Sequence, residues 1–243
     1  MQTGAVALID ALGFRGIWNR HNSQQVLDAL KDMKDVIEAK ITNQFATQPS
    51  FQCSIAFLSD TIAISMALDD PRDDYDRVGS SVLYLADVVS WILEHSLRSK
   101  VPLAYRGAIA IGEYELSAHF LIGQAIDEAA AAHERSQGAM IWLTPGAKDR
   151  VSNILRNNPR NTHLVRFPVP LKGGDTFPTF TVSPLEQARG QDDANALTQT
   201  LLHTFSSPQV EVAIKRQNTI RHVRACYEWR GLEIPQDLLP LDP

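Results

Sequence analysis

The sequence predicts an α+β protein whose antiparallel or mixed sheet has helices packed on one side, followed by a C-terminal helical extension. Paired apolar segments of strand length alternate with longer segments that carry apolar residues at helical spacing. From about residue 184 the helical spacing continues without matching strands. We therefore expect a main α+β domain at residues 1–185 and a C-terminal helical extension at residues 186–243.

Length and composition are those of a globular protein that can bury a core. The chain has 243 residues, of which 44% are hydrophobic and 21% charged. Its formal net charge of −5 does not favour a nucleic-acid partner. The N-terminus lacks the pattern of a signal peptide, and the apolar runs are too short to span a bilayer. With two distant cysteines, Cys53 and Cys226, a reducing compartment is the default, so we expect a cytoplasmic protein without a membrane partner.

The first hundred residues predict two long helices and three strands. A continuous apolar run predicts a buried strand at residues 4–10. Helical spacing predicts a helix at 23–46, with Ser23 as its N-cap, and a second helix at about 74–98. Between them, residues 51–66 form a predicted hairpin.

The rest of the chain predicts shorter elements. These are a hairpin of strands 103–112 and 114–121, a helix at 124–136, a strand at 140–143, a helix at 146–156, strands at 162–170 and 176–183, and one or two helices within 192–231 broken at Pro208. The predicted order is β-α-ββ-α-ββ-α-β-α-ββ before the extension. A basic stretch of the extension is expected to form a solvated helix face: Lys215, Arg216, Arg221, His222 and Arg224.

Two aspartates follow apolar strands and are fifty positions apart. Asp10 closes the first predicted strand, and Asp60 lies at the turn of the predicted hairpin. A strand end fixes a carboxylate without burying it, and two such carboxylates brought together form a hard, oxygen-rich site for Mg²⁺ or Mn²⁺. The alternative is two unrelated turn residues, because aspartate is common where strands end.

Five short motifs follow one another along residues 4–183. They are Leu8-Ile9-Asp10-Ala11-Leu12-Gly13-Phe14, Leu58-Ser59-Asp60-Thr61, the strand from Arg106 to Glu113, Gly123-Gln124-Ala125-Ile126-Asp127-Glu128-Ala129, and Val169-Pro170-Leu171-Lys172-Gly173-Gly174. In this order they resemble the catalytic domains of class III nucleotide cyclases, the adenylate and guanylate cyclases. The resemblance implies a class III cyclase-like, ferredoxin-type sandwich at residues 1–185. It also implies that Asp10, Asp60 and the backbone carbonyl of Ala11 bind two Mn²⁺ or Mg²⁺ ions.

Three positions, in two motifs, depart from the purine cyclases. Where those enzymes use a lysine to read the base, this chain has Ala56, and where their helix carries Asn-x-x-x-Arg, it has Asp127 and Ala131. The combination of Asp-x-Leu-Gly-Phe, Ser-Asp-Thr-Ile and Tyr-Arg-Gly-Ala is more similar to the pyrimidine cyclases of bacterial Pycsar anti-phage systems. Those enzymes make cyclic UMP or cyclic CMP as a signal for a separate effector.

The resemblance assigns phosphate and base contacts to further residues. Gly13 and Phe14 begin a short helix whose backbone N–H groups would hold phosphates, although Gly13 could be an ordinary turn glycine and Phe14 a core residue. Arg106 would face the site as a catalytic residue that binds phosphate or reads a pyrimidine edge; otherwise it caps a sheet edge.

Three more residues carry expectations with open alternatives. Lys172, at a glycine-rich hairpin tip, would reach phosphate from a neighbouring subunit, or it is a solvated loop lysine. Ser59 would shape the base pocket. Asp127 would contact the nucleotide, or it is a first-turn acid favoured by the helix dipole.

The function implied by the resemblance is a pyrimidine nucleotide cyclase. It would convert UTP to 3′,5′-cyclic UMP and pyrophosphate in a homodimer with active sites at the subunit interface. The alternatives are a cytidylate cyclase acting on CTP and a catalytically silent module that binds a nucleotide. No nucleic-acid partner is expected.

Overall fold

The computed structural model describes residues 1–45, 50–69, 76–117, 120–157 and 163–239. The strands are β1 (Gln2–Ala11), β2 (Phe51–Leu58), β3 (Thr61–Leu68), β4 (Tyr105–Leu116), β5 (Leu121–Ile122), β6 (Ile141–Leu143), β7 (Leu164–Pro170) and β8 (Thr176–Val182). The helices are α1 (Ser23–Phe45), α2 (Arg77–Arg98), α3 (Gln124–His133), α4 (Pro145–Asn157), α5 (Gln191–His203) and α6 (Val210–Arg230). This order confirms the predicted alternation of strands and helices.

One mixed sheet organises the fold. Its strand order is β2-β3-β1-β4-β6-β8-β7, with β5 paired to β4. The β4–β6 pair is parallel, and the other pairs are antiparallel. β1 lies between β3 and β4, as its continuous apolar run requires of a strand that is buried on both faces.

Helices cover both faces of the sheet, so the expectation of helices on one side only was wrong. On one face, Ile9 and Ile64 pack in a core with residues of α1, α2 and α4. On the other face, Val6 and Leu8 pack with α3, and α6 lies against β7. Because side chains alternate along a strand, the odd-numbered residues of β1 face α1 and α2, and the even-numbered ones face α3.

Two predicted boundaries were wrong because tertiary pairing overrides local pattern. β4 continues past Gly112 to Leu116, because it pairs with β1 as far as Gln2, so the predicted partner strand 114–121 is reduced to β5. The predicted helix 124–136 ends at His133. Beyond it, Ser136 forms a β-bridge with Leu171, which takes the backbone out of helical geometry.

Helix starts also differ from the sequence prediction. Asn22, rather than Ser23, caps α1: its side-chain Oδ1 accepts the Gln25 N–H at 2.9 Å. Asp76 caps α2 by accepting the Gly79 N–H at 2.8 Å. The predicted helix end at 46, the helix start at 74 and the strand start at 162 lie outside the described residues.

The C-terminal extension packs onto the body of the protein. The Arg98 guanidinium at the end of α2 binds the Asp193 carboxylate at 2.8 and 2.6 Å, and this contact lowers the pKa of Asp193 to about 2. His222 is fully buried, with its Nε2 2.8 Å from the Thr181 hydroxyl on β8. The predicted solvated basic face therefore does not include His222, because α6 turns that side toward the sheet. Among the helices of the described ranges, none is both long and apolar enough to cross a membrane.

An ion-paired histidine joins three parts of the fold. His163, just before β7, has Nε2 2.8 Å from Asp87 of α2 and Nδ1 2.9 Å from Glu186. Burial alone would lower the pKa of His163, but the hydrogen bonds and charges of the two carboxylates outweigh it and raise the pKa to about 10.

We expect the charge of His163 to make stability depend on pH. Its unfolded pKa is about 6.5, so its stabilisation is full below about pH 6.5 and is lost as the pH rises through about 10. Replacing His163→Gln should lower the free energy of unfolding by about 1 kcal/mol at pH 6. The difference from the parent should shrink toward pH 10, as measured by urea denaturation. His203→Gln, at an exposed histidine, is the control; an equal loss at both pH values for His163→Gln would assign its role to packing.

Candidate functional site

The backbones of the two predicted metal-binding aspartates are adjacent where β1 ends beside the turn of the β2–β3 hairpin. Asp10 is paired with Thr61 of β3 on one side, and the Ala11 N–H donates to the Asp60 carbonyl oxygen at 3.0 Å. Burial first, and then the charges of Asp10 and Asp60, raise the pKa of the Tyr105 phenol. The backbone contacts therefore bring the two aspartates together, although they are fifty residues apart in sequence.

Arg106 lies directly opposite Asp10, in the register of β1 and β4. It is almost fully buried, and its Nη2 and Nε lie 3.1 and 3.4 Å from Asp10 Oδ2. Its Nη1 donates to the Glu134 backbone carbonyl at 3.4 Å, and Nη2 lies 3.5 Å from Glu134 Oε1. The arginine is therefore held on the same face as Asp10, the face that carries α3.

Glu134, just after α3, connects the arginine to the β7–β8 hairpin. Its Oε2 lies 3.6 Å from Lys172 Nζ, and the Arg135 carbonyl accepts the Lys172 N–H at 2.8 Å. The cations of Arg106 and, after it, Lys172 hold the pKa of Glu134 below its usual range. We call Asp10, Arg106, Glu134 and Lys172 the Asp10 cluster.

Sequence reasoning missed Glu134. It lies one residue beyond α3 in a segment predicted to be helical, and no motif marks it. Glu134 gains its role from two partners, Arg106 and Lys172, that are distant in sequence.

Gly13 and Phe14 follow Asp10, as the sequence predicted, in a turn that opens a short 3-10 helix (Phe14–Asn19). Gly13 has φ 73°, in the left-handed region that favours glycine, and it is exposed. Phe14 is half-buried and makes an edge contact with Trp18 at 5.7 Å between ring centroids. The phosphate role of these residues stays a prediction.

Asp127 lies at the opposite end of α3 from the Asp10 cluster. It is exposed in the first turn of α3, while Glu134 follows the last turn. Seven residues of helix separate the two by roughly 10 Å. Its predicted nucleotide contact stays a prediction.

The oxygen donors present fit a hard divalent cation. Asp10, Asp60 and the Ala11 carbonyl are the ligand types that Mg²⁺ and Mn²⁺ prefer. Both contacts of Arg106 with Asp10 fall on Oδ2, so Oδ1 is the oxygen that can face a cation. Within the described ranges, no group of three or more His, Cys, Asp or Glu side chains could hold a metal ion. The residues therefore fit an ion whose remaining ligands are phosphate or water oxygens.

Comparisons with known proteins bear on the fold. Neither the family models nor the curated proteins include a match. The guanylate cyclase domain of RhGC from Catenaria anguillulae, in complex with GTP, is 14% identical with a TM-score of 0.50, over 75% of this chain and 96% of that one. The monomeric guanylyl cyclase domain of the RhoGC fusion protein from Blastocladiella emersonii is 13% identical with a TM-score of 0.50, over 74% and 94%. The protein has the class III cyclase fold.

The cyclase fold confirms the predicted architecture of the body of the protein. These comparisons cover about three quarters of this chain but nearly all of the two cyclase domains. That share is close to the length of the predicted catalytic domain, residues 1–185, and the boundary itself stays a prediction.

The backbone of Ser59, next to Asp60 in the turn of the β2–β3 hairpin, lies in the left-handed region that favours glycine. Ser59 has φ 62°, and among the described residues it is the one non-glycine with a positive φ. A side chain in the left-handed region costs about 1–2 kcal/mol, which the β2–β3 hairpin must absorb to hold Asp60.

Replacing Ser59→Gly should therefore raise the free energy of unfolding by about 1 kcal/mol, because glycine adopts this backbone without the Cβ clash. Urea denaturation of the purified protein measures the change. Ser59→Ala is the matched control, since it removes the hydroxyl but keeps the Cβ. If Ala and Gly stabilise equally, the strain argument fails.

Proposed function

We propose that the protein is a nucleotide cyclase that converts a pyrimidine nucleoside triphosphate, UTP first and CTP second, to a 3′,5′-cyclic nucleotide and pyrophosphate. One observation carries the proposal. In a fold shared with guanylyl cyclase domains, the backbones of Asp10 and Asp60 are adjacent at the end of β1, with Arg106 bound to Asp10.

The chemistry asks little of the protein beyond positioning and charge. The ribose 3′-hydroxyl attacks the α-phosphate of its own nucleotide, so the two reacting groups are already joined. Two divalent ions held by Asp10, Asp60 and the Ala11 carbonyl would supply a lowered hydroxyl pKa and a counter-charge for the phosphates. What remains for the protein is to orient the triphosphate and to stabilise negative charge as pyrophosphate leaves.

Basic side chains and backbone N–H groups would orient the triphosphate and stabilise its negative charge. Arg106, fixed between Asp10 and Glu134, orients a planar guanidinium at the edge where phosphate would lie. Lys172 adds a second cation that is half exposed and paired only loosely with Glu134, so it can move to an incoming phosphate in the site of its own chain or of a neighbouring subunit. Backbone N–H groups after Gly13 would hold the terminal phosphates.

The row of side chains next to Asp10 supports the choice of a pyrimidine. The position of the purine-reading lysine is Ala56, which pairs with Ala63, and Ala63 in turn pairs with Leu8. This row carries no hydrogen-bond donor that could read a purine edge. In the Pycsar-like setting that the motifs resemble, cyclic UMP would act as an anti-phage signal for a separate effector.

A catalytically silent nucleotide-binding module is the second candidate. The observation that favours it is the ion pair itself, because Arg106 already takes one oxygen of a carboxylate that must bind metal. Both candidates bind a nucleotide, but only the cyclase converts it to a product.

We expect purified protein with Mn²⁺ to form cyclic UMP fastest among the products of the four nucleoside triphosphates, as detected by mass spectrometry. Asp10→Ala and Asp60→Ala should each lower turnover at least about 100-fold, because each removes a ligand of both ions. Asp149→Ala, at an exposed aspartate of α4, should retain activity.

Binding of UTP without turnover would replace the cyclase proposal by the silent module. Turnover that survives Asp10→Ala would leave the enzyme in place but remove the metal assignment. A faster reaction with ATP or GTP would overturn the choice of a pyrimidine.

The homodimer with sites at the subunit interface has its own test. If Asp10 and Lys172 act from different chains, an equal mixture of Asp10→Ala and Lys172→Ala proteins contains mixed dimers with one intact site. Random pairing then restores about a quarter of the parent activity. Each variant alone should be inactive, and a mixture that stays inactive would assign Lys172 to the site of its own chain.

A further inference from the structure

The segment that follows α3, residues 134–140, is held from two sides. On the side of the site, Arg106 Nη1 donates to the Glu134 carbonyl, and the Gly107 N–H donates to the Met140 carbonyl at 3.0 Å. The β7–β8 hairpin adds two backbone bonds, from the Lys172 N–H to the Arg135 carbonyl and from the Gln137 N–H to the Pro170 carbonyl, both at 2.8 Å. Both basic residues of the Asp10 cluster therefore depend on where this segment lies.

On its opposite side the segment meets one turn of α6. The Asn218 amide donates to the Gln137 carbonyl at 2.8 Å, and the Ala139 N–H donates to Thr219 Oγ1 at 2.9 Å. Between them, a Cβ at Gly138 would lie 3.1 Å from Thr219 Oγ1, so helix and segment are in close contact. Thr219 is fully buried, which keeps water from replacing its bond to Ala139, whereas Asn218 is mostly buried beside an open cavity.

The rest of α6 is fixed independently of this contact. His222 is bonded to Thr181 of β8, and Tyr227 is bonded to Thr198 and Asn195 of α5. The Arg230 guanidinium binds backbone carbonyls of the 185–188 turn. Toward its start, α6 stands away from the β7–β8 hairpin across a cavity of about 440 Å³ lined by Lys172 and Lys215. Asn218 and Thr219 therefore join the segment to a helix that other contacts already hold.

We propose that α6 is part of the working site, and that Asn218 and Thr219 are positioning residues that set Arg106 and Lys172 through the 134–140 segment. The inference rests on the proposed function for its catalytic consequence. It extends that function to the C-terminal helices, to which the cyclase-like motifs of residues 4–183 assign no role.

The central test is Thr219→Val, which keeps the shape of the side chain and removes its acceptor for the Ala139 N–H. We expect kcat for UTP to fall about tenfold, because small displacements of catalytic groups cost that much or more. KM should stay within about twofold, since neither metal aspartate contacts α6. Thr219→Ser keeps the hydroxyl and should restore most of kcat. Asn218→Ala provides a second variant if Thr219→Val fails to fold.

The matched control is Thr198→Val. Thr198 is equally buried and bonds Tyr227 within the extension, without a bond to the segment. It should lower the melting temperature about as much as Thr219→Val and leave kcat unchanged. Equal losses of kcat in both variants would reduce the role of Thr219 to general stability and overturn the proposal.

A second readout does not need turnover. Hydrogen–deuterium exchange of a peptide covering residues 134–140 should speed up in Thr219→Val and stay at the parent rate in Thr198→Val. If the parent protein turns over no triphosphate, the cyclase proposal fails, while exchange still decides the physical link. Unchanged exchange in Thr219→Val overturns the link whatever the activity.

Discussion

The antiparallel register of β1 between β3 and β4 is the constraint on which the site depends. It places Asp10 opposite Arg106 of β4. On the other side, it places Asp10 opposite Thr61 of β3, next to the turn that carries Asp60. A shift of one residue would exchange the two faces of β1. Asp10 would then point into the core formed with α1 and α2 instead of toward Arg106 and α3. Such a shift would also move Ile9 and Leu8 into each other's core, where the surrounding side chains differ.

That register creates a charge problem, and the fold solves it with a chain of ion pairs. A guanidinium buried as deeply as that of Arg106 needs anionic partners, which it finds in Asp10 and Glu134. Glu134 in turn meets Lys172. If the proposed function holds, substrate phosphates bring new negative charge to the same two cations, and the cluster exchanges one set of partners for another without leaving a cation buried alone.

The C-terminal extension belongs to this electrostatic arrangement as well as to the core. Its helices are joined to the body by the Arg98–Asp193 pair, by His222 in the buried space beside β8, and by the bonds of Asn218 and Thr219. The last two reach the backbone that carries Glu134. Helix α6 is thereby hydrogen-bonded to the segment that carries Glu134 of the Asp10 cluster.

The sequence by itself determined the order of elements, the two aspartates at strand ends and the cyclase-like motifs, because these depend on periodicity and on residues close together in the chain. Only the tertiary structure decided that α3 stops before Glu134, that β4 runs on to Leu116, and that His222 is buried. Each of these depends on partners far away in sequence: Leu171, Gln2 and Thr181. The physical reason is that backbone pairing and the neutralisation of buried charge join residues of different strands and helices. Local propensity depends only on residues close together in the chain, so it does not predict these partners.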